Sequence, residues 1–114
     1  VTNVREALVI TTDMNAEIKT FTADDAHIVL HDAVDGNIER VQLKSLGVDM
    51  WLNEYGKIIN LPQNVFATFL FQKEYKMFDS ILGNVVFTGE ADEKGETLGL
   101  TELQIQKLCD LLKA

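Results

Sequence analysis

The residues best spaced for chemistry are Asp24, His27, His31 and Asp35, separated by three, four and four positions. On an α-helix of 3.6 residues per turn they form one stripe about 80° wide. Two histidines at i and i+4 can share a metal ion, and carboxylates can complete or orient such a site. The four residues are therefore the candidate metal ligands. The run His27-Ile28-Val29-Leu30-His31 lacks the glutamate that metalloproteases carry between their histidines. The stripe also borders the apolar side of its helix and turns toward solvent, where Asp–His pairing needs no metal.

Other chemistries find less support. Gly83, Gly89, Gly95 and Gly99 do not make a phosphate cradle: no Gly-Lys-Ser/Thr follows, and Glu90, Asp92, Glu93 and Glu96 repel phosphate. The same acids, and those of 32–37, lack the alternating ligands and bidentate glutamate of a calcium loop. Cys109 is the sole cysteine and lies beside Asp110 among apolar neighbours, a setting that disfavours a thiolate. No Ser-His-acid order stands out. The sequence predicts no catalytic set and no cofactor.

These residues must be positioned by a chain of 114 residues, read as one domain over 1–114. Hydrophobic residues make up 46%, enough for a core without disulfides. One cysteine allows no intrachain bridge and suits a reducing compartment. No apolar run reaches membrane-spanning length and no signal segment opens the sequence, so the expected location is the cytoplasm, off the membrane. The net charge of −8 argues against direct nucleic-acid binding, which rests on Lys and Arg neutralising phosphates. Spread along the chain, the acids serve solubility first and a basic partner second.

The elements follow from periodicity and turn chemistry. Residues 7–11 and 17–21 read as an N-terminal hairpin turned at 13–15. A helix starts at Thr22 with Asp25 as its capping acid. It presents Ala26, Val29, Leu30, Ala33 and Val34 on one face, and ends at Asp35-Gly36 with Gly36 left-handed. Strands follow at 38–43 and 48–52. Residues 50–61 read as a hairpin whose turn is Asn53-Glu54-Tyr55-Gly56, with Gly56 at positive φ. Asn64 caps a second helix in which Val65, Phe66, Ala67, Phe69, Leu70 and Phe71 are apolar nearly all round, which predicts burial. The apolar run 85–87 reads as a central strand, and 89–99 as an acidic loop. Thr101 and Gln104 form a capping box for a last helix with Leu103, Ile105, Leu108, Leu111 and Leu112 on one side. The order β-β-α-β-β-β-α-β-α predicts an α+β fold, with a mainly antiparallel sheet of five to six strands and three helices.

Several short motifs recur in a familiar order. They are Ala33-Val34-Asp35-Gly36 followed by Ile38-Glu39-Arg40-Val41-Gln42-Leu43, then Asn53-Glu54-Tyr55-Gly56-Lys57. Next come Leu61-Pro62-Gln63-Asn64, Gly83-Asn84-Val85-Val86, and the stretch Gly95 to Thr101. Together they resemble a family of small phage- and plasmid-encoded proteins grouped as a domain of unknown function, over roughly 7–108. The resemblance implies a bacterial cytoplasm and a viral or mobile-element setting. It implies no activity, and its recurring positions are turn, cap and core residues.

Three functions are open at this point. The favoured one is a non-enzymatic accessory protein that binds a host or phage protein, with Glu54 and Tyr55 at a turn tip as contact residues. The second is a small metal- or ligand-dependent enzyme or sensor built on the Asp24/His27/His31/Asp35 stripe. The third is a homo-oligomer assembled through the helix of Phe66, Phe69 and Phe71.

Overall fold

The structure, a computed structural model, describes residues 3–114. Its elements are β1 (Arg5–Ile10), β2 (Ala16–Phe21), α1 (Ala26–Val34), β3 (Ile38–Leu43), β4 (Val48–Asn53), α2 (Val65–Tyr75), β5 (Val85–Gly89) and α3 (Glu102–Lys113). All strand pairs are antiparallel, in the order β2-β1-β5-β4-β3. The fold is thus α+β, with one five-stranded sheet and three helices. The apolar run at 85–87 does form the central strand, and every residue of β5 is buried.

Strand alternation sends successive side chains to opposite faces, and each face has its own core. Leu8, Ile10, Met50, Val85 and Phe87 pack under α2 and α3, meeting Phe66, Leu70 and Leu108. Ala7, Val9 and Val86 pack under α1, meeting Leu30 and Val34, with half-buried Trp51 alongside. The molecule is therefore three layers, helix–sheet–helices.

The caps of α2 and α3 are as expected. Asn64 accepts from the Ala67 backbone, and Thr101 and Gln104 bond each other reciprocally. The start of α1 differs. The helix begins at Ala26, and Thr22 donates both its backbone N–H and its hydroxyl to Asp25 Oδ1, at 2.6 and 3.1 Å. Its end differs as well. The left-handed residue is Asp35, at φ 57°, while Gly36 bonds back to His31 in a Schellman-type closure. Asp tolerates this conformation because its short polar side chain can bond locally. Gly36 is required for another reason. A Cβ there would come within 2.5 Å of the Asn53 side chain.

The expected hairpin over 50–61 does not form. β4 runs into turns from Glu54 onward, and residues 58–61 are not a strand. The cause is edge occupancy: β4 is already paired with β3 on one side and β5 on the other. A returning arm has no free backbone edge to bond. The chain coils instead, with Ile59 N–H donating to Tyr55 O at 3.0 Å and Leu61 N–H to Gly56 O at 2.9 Å. The positive φ falls on Asn60, at 57°, and not on Gly56.

Two amphipathic expectations also shift. On α2, Phe66 is buried but Val65 and Phe69 are exposed, so the helix is not sunk on all sides. On α3, Leu108 is buried while Leu103 points to solvent.

Candidate functional site

Two short segments meet beside the end of β4. The first spans 54–63 and is pinned at each end by a buried asparagine. Asn53 donates from Nδ2 to the carbonyls of Val34 and Asp35, at 3.2 and 3.3 Å, and accepts from Tyr55 N–H at 2.8 Å. One side chain thus closes α1 and starts the turn. Asn64 donates from Nδ2 to Ile10 O and Gly83 O, at 3.1 and 3.0 Å, while its Oδ1 caps α2.

The second segment, 76–83, follows the left-handed residue Lys76 that ends α2. It is laced to the first by backbone bonds. Asn64 N–H donates to Ile81 O at 2.8 Å, and Gly83 N–H to Pro62 O at 2.7 Å. The Lys57 ammonium is paired with Asp79 across the gap. Thr68 secures Ile81 from the helix, accepting its N–H at 2.9 Å.

These anchored segments carry an unusual surface. Ile58 is 81% exposed and Phe78 is 82% exposed. Tyr55, Ile59 and Met77 are exposed as well. Single exposed apolar side chains need no explanation, but five large ones on two linked segments do. The cleft between the segments has a volume of about 240 Å³ and is bordered by Glu39, Glu54, Lys57 and Asp79. Pockets for drug-sized ligands run roughly 300–1,000 Å³, so this cleft is small for one. Three carboxylates against one ammonium leave its rim acidic. Glu54 and Tyr55 both stand exposed here, on the turn and not on a hairpin tip.

The histidine stripe is divided by the local backbone. Only His27 and His31 lie on α1, with ring centroids 6.5 Å apart. Asp24 precedes the helix in a turn, and Asp35 lies past its last residue in left-handed geometry. His31 Nδ1 is 3.7 Å from its neighbour Asp32, and His27 borders an open hollow floored by Trp51 and edged by Glu96. Among the described residues, no group of three or more His, Cys, Asp or Glu side chains is arranged to hold a metal ion. The acidic loop is likewise occupied by its own backbone. Asp92 Oδ1 accepts from Lys94 and Glu96 N–H, both at 2.9 Å.

The three phenylalanines of α2 point to different surroundings. Phe66 meets Phe87 edge-on at 6.1 Å, Phe71 lies 5.0 Å from Tyr75, and Phe69 lies under the Lys73 ammonium at 5.8 Å.

One charged residue escaped the sequence reading. Asp49 on β4 is 1% exposed, its Oδ1 has no hydrogen-bond partner among the described residues, and Oδ2 is 3.7 Å from the Arg40 guanidinium. Burial holds its carboxyl above the usual aspartate range; Arg40 opposes this and Glu90 adds to it. Nearby, Trp51 Nε1 donates to Thr88 Oγ1 at 2.8 Å, and Thr88 passes a bond to Gly89 O. Asp49 is closed from solvent, so it can shape stability without meeting a substrate. An acid in the middle of a strand pattern was the available signal.

Among the described residues, no helix is long and apolar enough to cross a membrane. No curated protein and no solved structure matches the chain. A family model does, over residues 4–113, and every element described above falls inside that span. The chain belongs to the family described as Domain of unknown function (DUF3846).

Proposed function

We propose that this protein is a binding module that engages another protein through the surface of Tyr55, Ile58, Ile59, Met77 and Phe78. The observation that carries this reading is the exposure of those five side chains on two segments braced by Asn53, Asn64 and the Lys57–Asp79 pair. A braced surface loses less conformational entropy on docking than a free loop. A few desolvated anchors, aromatic side chains prominent among them, supply most of the energy of protein interfaces. The acidic rim at Glu39, Glu54 and Asp79, on a chain of net charge −8, favours a partner whose apolar patch is flanked by Lys or Arg. The phage or plasmid setting implied by the sequence resemblance makes host and phage proteins the pool to search.

The test is affinity capture from the source cell's lysate with the wild-type chain, Ile58→Ser/Phe78→Ser and a distant control, Lys19→Ala. The expected result is a protein retained by wild type and control but lost by the double variant, with its retention weakened at high salt. Equal retention by all three refutes the surface.

A further inference from the structure

The two edges of the sheet are treated differently. The outer edge of β3 is partly closed by α2. Tyr75 donates its hydroxyl to Gln42 O, and Glu74 accepts from the backbone and hydroxyl of Ser45. Among the described residues, the outer edge of β2 has no such cover. Five of its six residues are exposed, and the nearest side-chain bonds stop at Asn15 and Thr22 on either side. It contains no proline and no bulge, and its one lysine, Lys19, is matched by Glu17, so the charge that would blunt the edge is balanced within the strand.

The hairpin register says which groups this edge offers. Thr11 N–H donates to Asn15 O, so that pair is hydrogen-bonded and the pairs alternate from there. Val9–Glu17 and Ala7–Lys19 are then bonded pairs. Ala16, Ile18 and Thr20 turn their N–H and C=O groups outward.

We propose that β2 is a self-association edge, at which two copies of this chain pair antiparallel about a two-fold axis through Ile18. In that register Ile18 faces its own copy, and Ala16 faces Thr20 of the second copy, all at outward-bonding positions. The arrangement adds roughly six backbone hydrogen bonds, two per facing pair. Glu17 then lies opposite Lys19 of the second copy, and Lys19 opposite its Glu17. Both fall at non-bonded positions, where opposed side chains approach most closely. The existing Glu17–Lys19 pair, at 2.8 Å, shows that both charges already share one face. On the other face, Ile18 is 48% exposed and lies on the same side as the apolar groove of Met14, Val65 and Phe69. The apolar surface therefore continues inward from the proposed seam. Shifting the register by one residue sets Ile18 against Glu17 or Lys19, and shifting it by two sets Glu17 against Glu17 or Lys19 against Lys19, so the strand is complementary to itself in this register.

The test is solution mass by light scattering over a wide concentration range. Wild type is expected to move from 12.8 kDa toward twice that mass. Ile18→Pro removes an outward N–H while leaving the β1 ladder intact, and an edge strand tolerates that change. It is expected to weaken association roughly tenfold or more. Glu17→Lys and Lys19→Glu each set like charges across the axis and should be monomeric alone. Mixed one to one, they restore opposite charges and should form a dimer. If Ile18→Pro loses its fold by circular dichroism, the charge variants decide. A wild-type monomer throughout, a dimer indifferent to these changes, or variants that fail to rescue one another each overturns the proposal.

Discussion

Buried polar groups occur in two regions of this molecule, and they are handled in opposite ways. At the ends of the 54–63 segment, Asn53 and Asn64 spend their side-chain amides on backbone groups at the ends of α1 and β1, at the start of α2 and in the loops beside them. In the middle of β4, Asp49 is just as buried, yet among the described residues one of its oxygens has no partner and its counter-charge, Arg40, is at 3.7 Å. Burial of a polar group therefore does not fix the sign of its contribution to stability. A neutral amide that completes several bonds stabilises, whereas a buried carboxylate with an unsatisfied acceptor oxygen costs free energy.

Removing the best-satisfied group should break this contrast most strongly. Asn64→Ala takes away the α2 cap, strips Gly83 O of its amide donor and removes the side-chain bond to Ile10 O in the interior. A loss of about 3–4 kcal/mol is expected, read from urea unfolding midpoints. Asn53→Ala strands the last carbonyls of α1 and frees Tyr55 N–H toward solvent. Part of that set can find water, so a loss of about 2 kcal/mol is expected in the same measurement.

Asp49→Asn should act in the other direction. The amide keeps the shape and sheds the buried charge, at the expense of a long, half-exposed pairing with Arg40. A gain of roughly 1 kcal/mol at neutral pH is expected. The pH dependence gives the sharper test. The folded-state pKa of Asp49 lies above 3.8, because burial favours the neutral acid. Between the unfolded and folded values the native state holds a proton that the unfolded chain has released. Its contribution is therefore fully present below the unfolded value and is lost as pH rises through the folded one. Comparing unfolding of wild type and Asp49→Asn across that interval should show the variant's advantage growing with pH. A constant difference would remove Asp49 as the cause.

The smallest effect on folding belongs to the exposed surface. Ile58→Ser/Phe78→Ser should change stability by only about 0.5 kcal/mol per site or less, since neither side chain is covered. A loss much larger than this would make the pair part of the core and weaken the proposed docking surface.

Much of the architecture is readable from local signals. The asparagine cap at 64, the capping box of Thr101 and Gln104, the strand at 38–43 and the N-terminal hairpin all rest on residues a few positions apart. Periodicity marked β5 as central because three consecutive apolar residues need cover on both faces. The same local reading fails at 58–61 and at Asp49. Ile58-Ile59 has strand composition, but β5 arrives from 25 or more positions downstream and takes the edge of β4 that a hairpin arm would need. Asp49 alternates with Val48 and Met50 as an outward residue of a half-exposed strand would. β4, however, lies between two strands and two helical layers, so both of its faces are covered. Caps, turns and periods are short-range interactions written in neighbouring residues. Which strand occupies which edge, and hence which side chains are left outside, depends on pairings between distant segments that no local pattern encodes.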